Sequence, residues 1–182
     1  VYCSTISIEE FLSLLPHKIA SDPKGIIKNI DLYLEGPLTA VNMKGSFLVD
    51  QLVMPKFVMS QAPGELSLVF RRSASGYAPS GELRVTHGKV KTKNALLKLE
   101  ESRLFFSGSF GKPVFDIKGN ASISKVNIDV MLLGTPQTPQ WIFSSNPPVP
   151  QEVLMLMFLT GKNLEVVETS VEEQRLTPDL AK

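Results

Sequence analysis

The sequence predicts a mainly β protein, an array of strands with one apolar face, flanked by a short N-terminal helix and a hydrophobic C-terminal helix. Three observations carry that reading. From Ile26 to Phe143 apolar and polar residues alternate with a period of two, as in strands that turn one face to an apolar environment and one to water. Turn residues punctuate the stretch at short intervals, and no segment of helical period interrupts it, which excludes βαβ units. At Ser144-Ser145-Asn146-Pro147-Pro148-Val149-Pro150-Gln151-Glu152 the period changes to a helical one, leading into the apolar run Val153–Leu159 and closing on Thr160-Gly161-Lys162. The expected division is a helical segment over 1–25, a β-groove domain over 26–145, and an apolar helix with a tail over 146–182.

The N-terminal helix is expected over residues 7–15. Ser7 and Glu10 have capping-box spacing, Ile8, Phe11, Leu12 and Leu15 share a face, and Pro16 ends it ahead of His17-Lys18. Residues 21–25 read as a loop. The clearest strand is Val41–Asp50, where Val41, Met43, Phe47 and Val49 share a face with Gly45 and only Leu48 breaks the polar side. The same alternation marks Leu66, Leu68 and Phe70, then Leu83 and Val85, then Leu97 and Leu99. It continues through Phe115 and Ile117, through Val126, Ile128, Val130 and Leu132, and ends at Trp141 and Phe143. Turn signals fall at Gly36-Pro37, Pro63-Gly64, Ser75-Gly76, His87-Gly88, Gly108, Gly111-Lys112-Pro113 and Gly119-Asn120. About ten short strands result. The apolar face they share is the candidate surface for lipid or an unfolded client. Alternation alone leaves an open groove and a closed sandwich both standing, because each sheet of a sandwich also turns one face to a core.

For the C-terminal helix, Asn146 or Ser145 is the expected cap, with prolines in the first turn, Glu152 near the positive end and Gly161 at the C-cap. Val153, Leu154, Leu156, Met157 and Phe158, with Met155 and Leu159, cover all its sides. Such a helix must be buried or inserted in something apolar. It is expected to plug one end of the β core, and residues 163–182 read as a charged tail.

Composition narrows the function. The 182 residues carry a formal charge of +1, 43% apolar and 20% charged residues, enough for a sizeable core and far from disorder. No basic stripe with interleaved aromatics points to nucleic acid. No apolar run approaches the ~20 residues that span a bilayer. The chain starts at Val1 without a leader pattern, and it reads as mature or, preferably, excised from a longer protein. Cys3 is the single cysteine, so no internal disulfide can form.

No constellation for catalysis stands out. His17 and His87 lack metal-ligand spacing, and no GxSxG accompanies a histidine–acid pair. Gly108-Ser109-Phe110-Gly111 lies between strands, whereas a phosphate loop opens a helix. The expectation is a protein that is not an enzyme and carries no cofactor or metal. The methionines, Met43, Met54, Met59, Met131, Met155 and Met157, suit irregular apolar ligands as well as ordinary core gaps.

Residues 31–162 also resemble a known family. Leu34-Glu35-Gly36-Pro37-Leu38 followed by Val41–Asp50 is similar to a recurring glycine–proline repeat of the TamB family, among the AsmA-like proteins of Gram-negative envelopes. Ser80-Gly81-Glu82-Leu83-Arg84-Val85, Phe106-Ser107-Gly108 and Pro113-Val114-Phe115-Asp116-Ile117 resemble its closing β module. Gly134-Thr135-Pro136, Trp141-Ile142-Phe143-Ser144-Ser145-Asn146-Pro147-Pro148 and Glu152-Val153-Leu154 resemble its ending, although Phe158-Leu159-Thr160-Gly161 stands where the family has Leu-Leu-Phe-Gly. The resemblance implies a taco-like folded sheet with a hydrophobic concave face. It also implies the periplasmic part of a protein anchored in the inner membrane, with phospholipid or unfolded outer-membrane protein as cargo and a TamA-like barrel as partner. Two alternatives stand beside a lipid-carrying module: a scaffold whose free sheet edge pairs with a barrel strand or client, and a self-contained adhesive sandwich.

Overall fold

The computed structural model describes residues 2–13, 23–73, 76–109, 111–163 and 165–167. In chain order it contains β1 (Tyr2–Ser7), α1 (Ile8–Ser13), β2 (Lys24–Glu35), β3 (Ala40–Met54), β4 (Phe57–Ser73), β5 (Gly76–Val85) and β6 (Gly88–Lys91). There follow β7 (Leu96–Leu99), β8 (Ser102–Ser107), β9 (Val114–Ile123), β10 (Val126–Gly134), β11 (Pro139–Ser145) and α2 (Gln151–Thr160). All eleven strands join one sheet, and every pairing is antiparallel. The expected mainly β, antiparallel architecture is therefore present as one continuous sheet. A sandwich of two sheets does not occur among the described residues.

The register simplifies the sheet further. β5 and β6 meet β4 along one unbroken register, Gly64 opposite Val85 and Ser60 opposite Lys89. β8 and β7 likewise meet β5 and β6 in a common register, Val85 opposite Ser102 and Gly88 opposite Leu99. Each pair is thus one long strand with an interruption, and the chain runs as an up-and-down meander. Short hairpins dictate this order, since consecutive antiparallel strands need only a tight turn.

The interruptions line up across the sheet. The inside–outside alternation slips by one residue at Lys28-Asn29, Asp50-Gln51, Ser60-Gln61, Thr86-His87 and Glu100-Glu101, so Ile27 and Ile30, Val49 and Leu52, and Met59 and Ala62 share a face. Asn29 and Gln61 adopt positive φ values of 51° and 53° there, and β2 shows register shifts at this level. Each slip is a consecutive pair of polar side chains. An extra residue bends a strand and strengthens its twist, so five neighbouring strands interrupted at one level form a crease. Lys28 and Asp50 meet along it as an ion pair of 2.9 Å.

Several turn signals change meaning as a result. Pro63-Gly64 lies inside β4 and Gly119-Asn120 inside β9, while His87-Gly88 falls at the crease. Gly64 is needed for space: a Cβ there would come within 2.4 Å of the Phe47 ring, which packs across it.

α1 begins with the expected capping box. The Glu10 amide donates to Ser7 Oγ at 3.1 Å, and the Ser7 amide donates to Glu10 Oε2 at 3.3 Å. β1, ahead of it, pairs with β2 where no element was expected. The shared face assigned to Phe11, Leu12 and Leu15, and the ending at Pro16, lie outside the described residues or side chains.

α2 starts later than the sequence indicates. Pro150 is its N-cap, without a side-chain cap bond, and neither Asn146 nor Ser145 performs that role. Ser145 Oγ instead donates to the Pro147 carbonyl at 2.8 Å, inside a proline-rich bend that leaves Pro147 and Pro148 ahead of the helix. Gly161 closes the helix in the left-handed region at φ 71°, its amide donating to the Met157 carbonyl at 2.8 Å.

Candidate functional site

The candidate site is the face that this register turns inward. Cross-strand partners share a face, and the apolar residues line up accordingly. Val41 lies opposite Phe70, Met43 opposite Leu68, Leu66 opposite Leu83, Leu104 opposite Phe115, and Ile117 opposite Leu132. Past the crease the rows continue as Leu52, Met59, Val90, Leu97, Ala121 and Ile128, then Val130 opposite Phe143. Phe47, Val49, Val85 and Leu99 fall on the same side, and Val126 faces Ile123. All sixteen strand residues picked from the alternation therefore lie on one surface.

α2 covers part of that surface. Val153, Leu154, Met157 and Phe158 are buried against Leu97, Ala121, Ile123, Ile128 and Phe143, with Leu156 partly buried beside them. Phe143 and Phe158 meet at 5.6 Å between centroids, tilted by 53°, a favourable aromatic geometry. The helix is not buried on all sides, as its composition implied: Met155 is 39% exposed and Leu159 57%. Two polar contacts hold its ends. Gln151 Oε1 accepts from the Phe143 amide at 3.3 Å, and Asn94 Nδ2 donates to the Leu159 carbonyl.

Beside the last turn of α2 an open cleft remains on the sheet. A cavity of about 730 Å³ is lined by Leu83, Val85, Leu97, Leu99, Ile117 and Val130 on the sheet and by Phe158 on the helix. That volume falls within the ~300–1,000 Å³ typical of small-molecule sites. The other predicted residues lie elsewhere on the face. Ile128, Val153, Leu154 and Met157 are packed solid under the helix, whereas Val41, Met43, Leu66 and Phe70 line the half beyond the crease and are only half-buried.

Sequence reasoning missed several cavity residues. Leu104 sits beside Phe105, so alternation could not say which faces inward. Met59 and Val90 lie past the crease, where the alternation has slipped. Phe57 was also missed, whereas Leu132 and Trp141, read on the alternating face, and Leu159 of the apolar helix complete the lining.

The charged groups form a different surface. Glu65 bonds Arg84, and Glu101 bonds Arg103. Hydrogen bonding and the charge of Arg103 hold the Glu101 carboxyl below its ordinary range. These pairs are exposed, as expected for a solvated outer face. No group of three or more His, Cys, Asp or Glu among the described residues could hold a metal ion. No described helix is long and apolar enough to cross a membrane.

Fold and site together define a class: a single creased antiparallel sheet whose apolar face is partly capped by a terminal helix and partly hollow. The chain belongs to the TamB family, since the family model for the TamB C-terminal domain matches residues 28–179. That match runs from within β2 past α2, leaving out β1 and the first four residues of β2. No curated protein and no solved structure matches the chain. Membership places the chain among the envelope proteins of Gram-negative bacteria that serve outer-membrane biogenesis, a family associated with a TamA partner.

Proposed function

We propose that this module shields acyl chains of phospholipid on its inner face, as the periplasmic part of an inner-membrane-anchored protein, without catalysing a reaction. The observation that carries the reading is the cavity of about 730 Å³ beside α2, walled by Leu83, Val85, Leu97, Leu99, Ile117 and Phe158. The cleft is open to solvent on one side and lined mostly by apolar side chains, so an apolar ligand entering it removes surface from water on both partners. Each methylene moved from water into it gains ~0.8 kcal/mol. A chain of about ten methylenes then gains ~8 kcal/mol before ordering costs. Val41, Met43, Phe47, Val49, Leu66, Leu68, Phe70 and Phe115 extend the apolar surface beyond the cavity, while Val130 lines it and Val126 and Ile128 support the helix.

The test is binding of a fluorescent fatty acid to delipidated protein. Leu83→Glu and Ile117→Glu place a charge in the cavity wall and are expected to abolish binding, while Phe47→Glu and Leu68→Glu interrupt the open half. Unchanged binding in all four variants refutes the reading.

A second reading has its own observation. Among the described residues β11 pairs with β10 alone, and Trp141 and Ile142 are 45% and 39% exposed along it. An unpaired edge can accept a strand from a barrel partner or an unfolded outer-membrane protein. Photo-crosslinking from Gln140 or Ile142 that traps a protein, in a chain that binds no lipid, would favour this edge role.

A further inference from the structure

The cavity has a charged rim at one end. Its exposed lining residues include Pro55 and Lys56 in the β3–β4 turn, Lys93 and Asn94 in the β6–β7 turn, and Leu159 at the end of α2. The two turns are neighbours, because Val58 in β4 lies opposite Lys91 in β6. Lys56 and Lys93, one in each turn, therefore stand at the same end of the opening.

The stretches of chain that flank the two turns carry no acid. Residues 51–64 and 86–99 contain no Asp or Glu, while the second stretch adds Lys89, Lys91 and Lys98. Neither Lys56 nor Lys93 forms an ion pair among the described residues, whereas Arg84 and Arg103 on the outer face are matched by Glu65 and Glu101. Two cations lining one opening add to a positive potential there. An anion bound at that end is attracted by both.

From this we infer that the cavity selects amphiphiles by headgroup: Lys56 and Lys93 hold the anionic head of a lipid whose acyl chain lies between Leu83, Leu97 and Phe158. The inference rests on the lipid-shielding reading and adds charge selectivity to it. Free phosphate shares the head's charge but lacks the chain, so the apolar wall gives it no purchase.

Trp141, the chain's only tryptophan, lines the same cavity and reports occupancy directly. The experiment titrates the full chain with lysophosphatidylglycerol and with lysophosphatidylcholine of equal chain length, below their micellar concentrations, following Trp141 fluorescence. The anionic lipid is expected to bind about tenfold tighter, the scale of two exposed ion pairs. The preference should collapse in 1 M salt, where the screening length falls to about 3 Å. Lys56→Gln/Lys93→Gln is expected to erase the preference while leaving lysophosphatidylcholine binding unchanged. Lys56→Glu/Lys93→Glu is expected to reverse it, and Lys44→Gln, an exposed lysine outside the cavity, to leave it intact. Equal affinity of wild type for both lipids, or a preference surviving both double variants, overturns the headgroup assignment and leaves lipid shielding standing. Binding of neither lipid overturns both. Displacement of the anionic lipid by millimolar inorganic phosphate overturns the assignment in favour of a site for free anions.

Discussion

Leu154→Ala and Met155→Ala, neighbours on α2, test how that helix is seated. Leu154 is 0% exposed and belongs to the core shared with the sheet, whereas Met155 is 39% exposed. Truncating a fully buried leucine removes its burial energy and leaves a void, at a cost of about 3–4 kcal/mol. In a chain of this length each kcal/mol lowers the melting temperature by about 2–4 °C. Leu154→Ala should therefore melt about 10 °C below wild type, while Met155→Ala stays within about 2 °C. Circular dichroism at the strand minimum follows the transition, and urea midpoints give a second measure. If the two variants melt together, α2 is not seated by its Val153–Leu154–Met157–Phe158 face, and the cavity beside it loses that wall.

Three further outcomes follow from local geometry. Gly119 lies where a Cβ would stand 2.5 Å from the Lys98 carbonyl and 3.1 Å from Leu97, so Gly119→Ala should cost about 1–3 kcal/mol in a urea titration. Asn94→Ala removes the side chain that donates to the Leu159 carbonyl, and hydrogen exchange of the last turn of α2 should speed up while exchange in β9 and β10 stays unchanged. Glu101 has its folded-state pKa lowered by Arg103, so its contribution to stability is present above the ordinary carboxylate value and lost as pH falls through the folded one. The melting-temperature difference between wild type and Glu101→Gln should accordingly be small at pH 7 and shrink further under acid, and a difference that grows on acidification contradicts the pairing.

The sequence made the inner face legible but not its geometry. Where alternation is clean, as in Val41–Asp50, the facing residues follow from side-chain period alone, and the partners Phe70 and Leu68 could be placed on the same surface. Strand lengths were underread because Pro63-Gly64 and Gly119-Asn120 look like turns, though the glycines serve close packing inside β4 and β9. The crease was written as polar pairs, Asp50-Gln51, Ser60-Gln61, Thr86-His87 and Glu100-Glu101, but a pair reads as a strand end until the register shows both sides in one ladder. The capping box at Ser7 and Glu10 was visible because capping is local. The cap of α2 was not, because three prolines offered competing starts. The cavity could not be read at all, since it depends on where α2 comes to rest across strands distant in sequence.

The claim that matters most is that the cleft beside α2 takes an acyl chain, and native mass spectrometry of the purified chain tests it most directly. The account predicts a protein peak carrying a phospholipid-mass adduct, absent in Leu83→Glu. A wild-type chain found only at its apo mass, after purification without detergent and with added phospholipid, would contradict it.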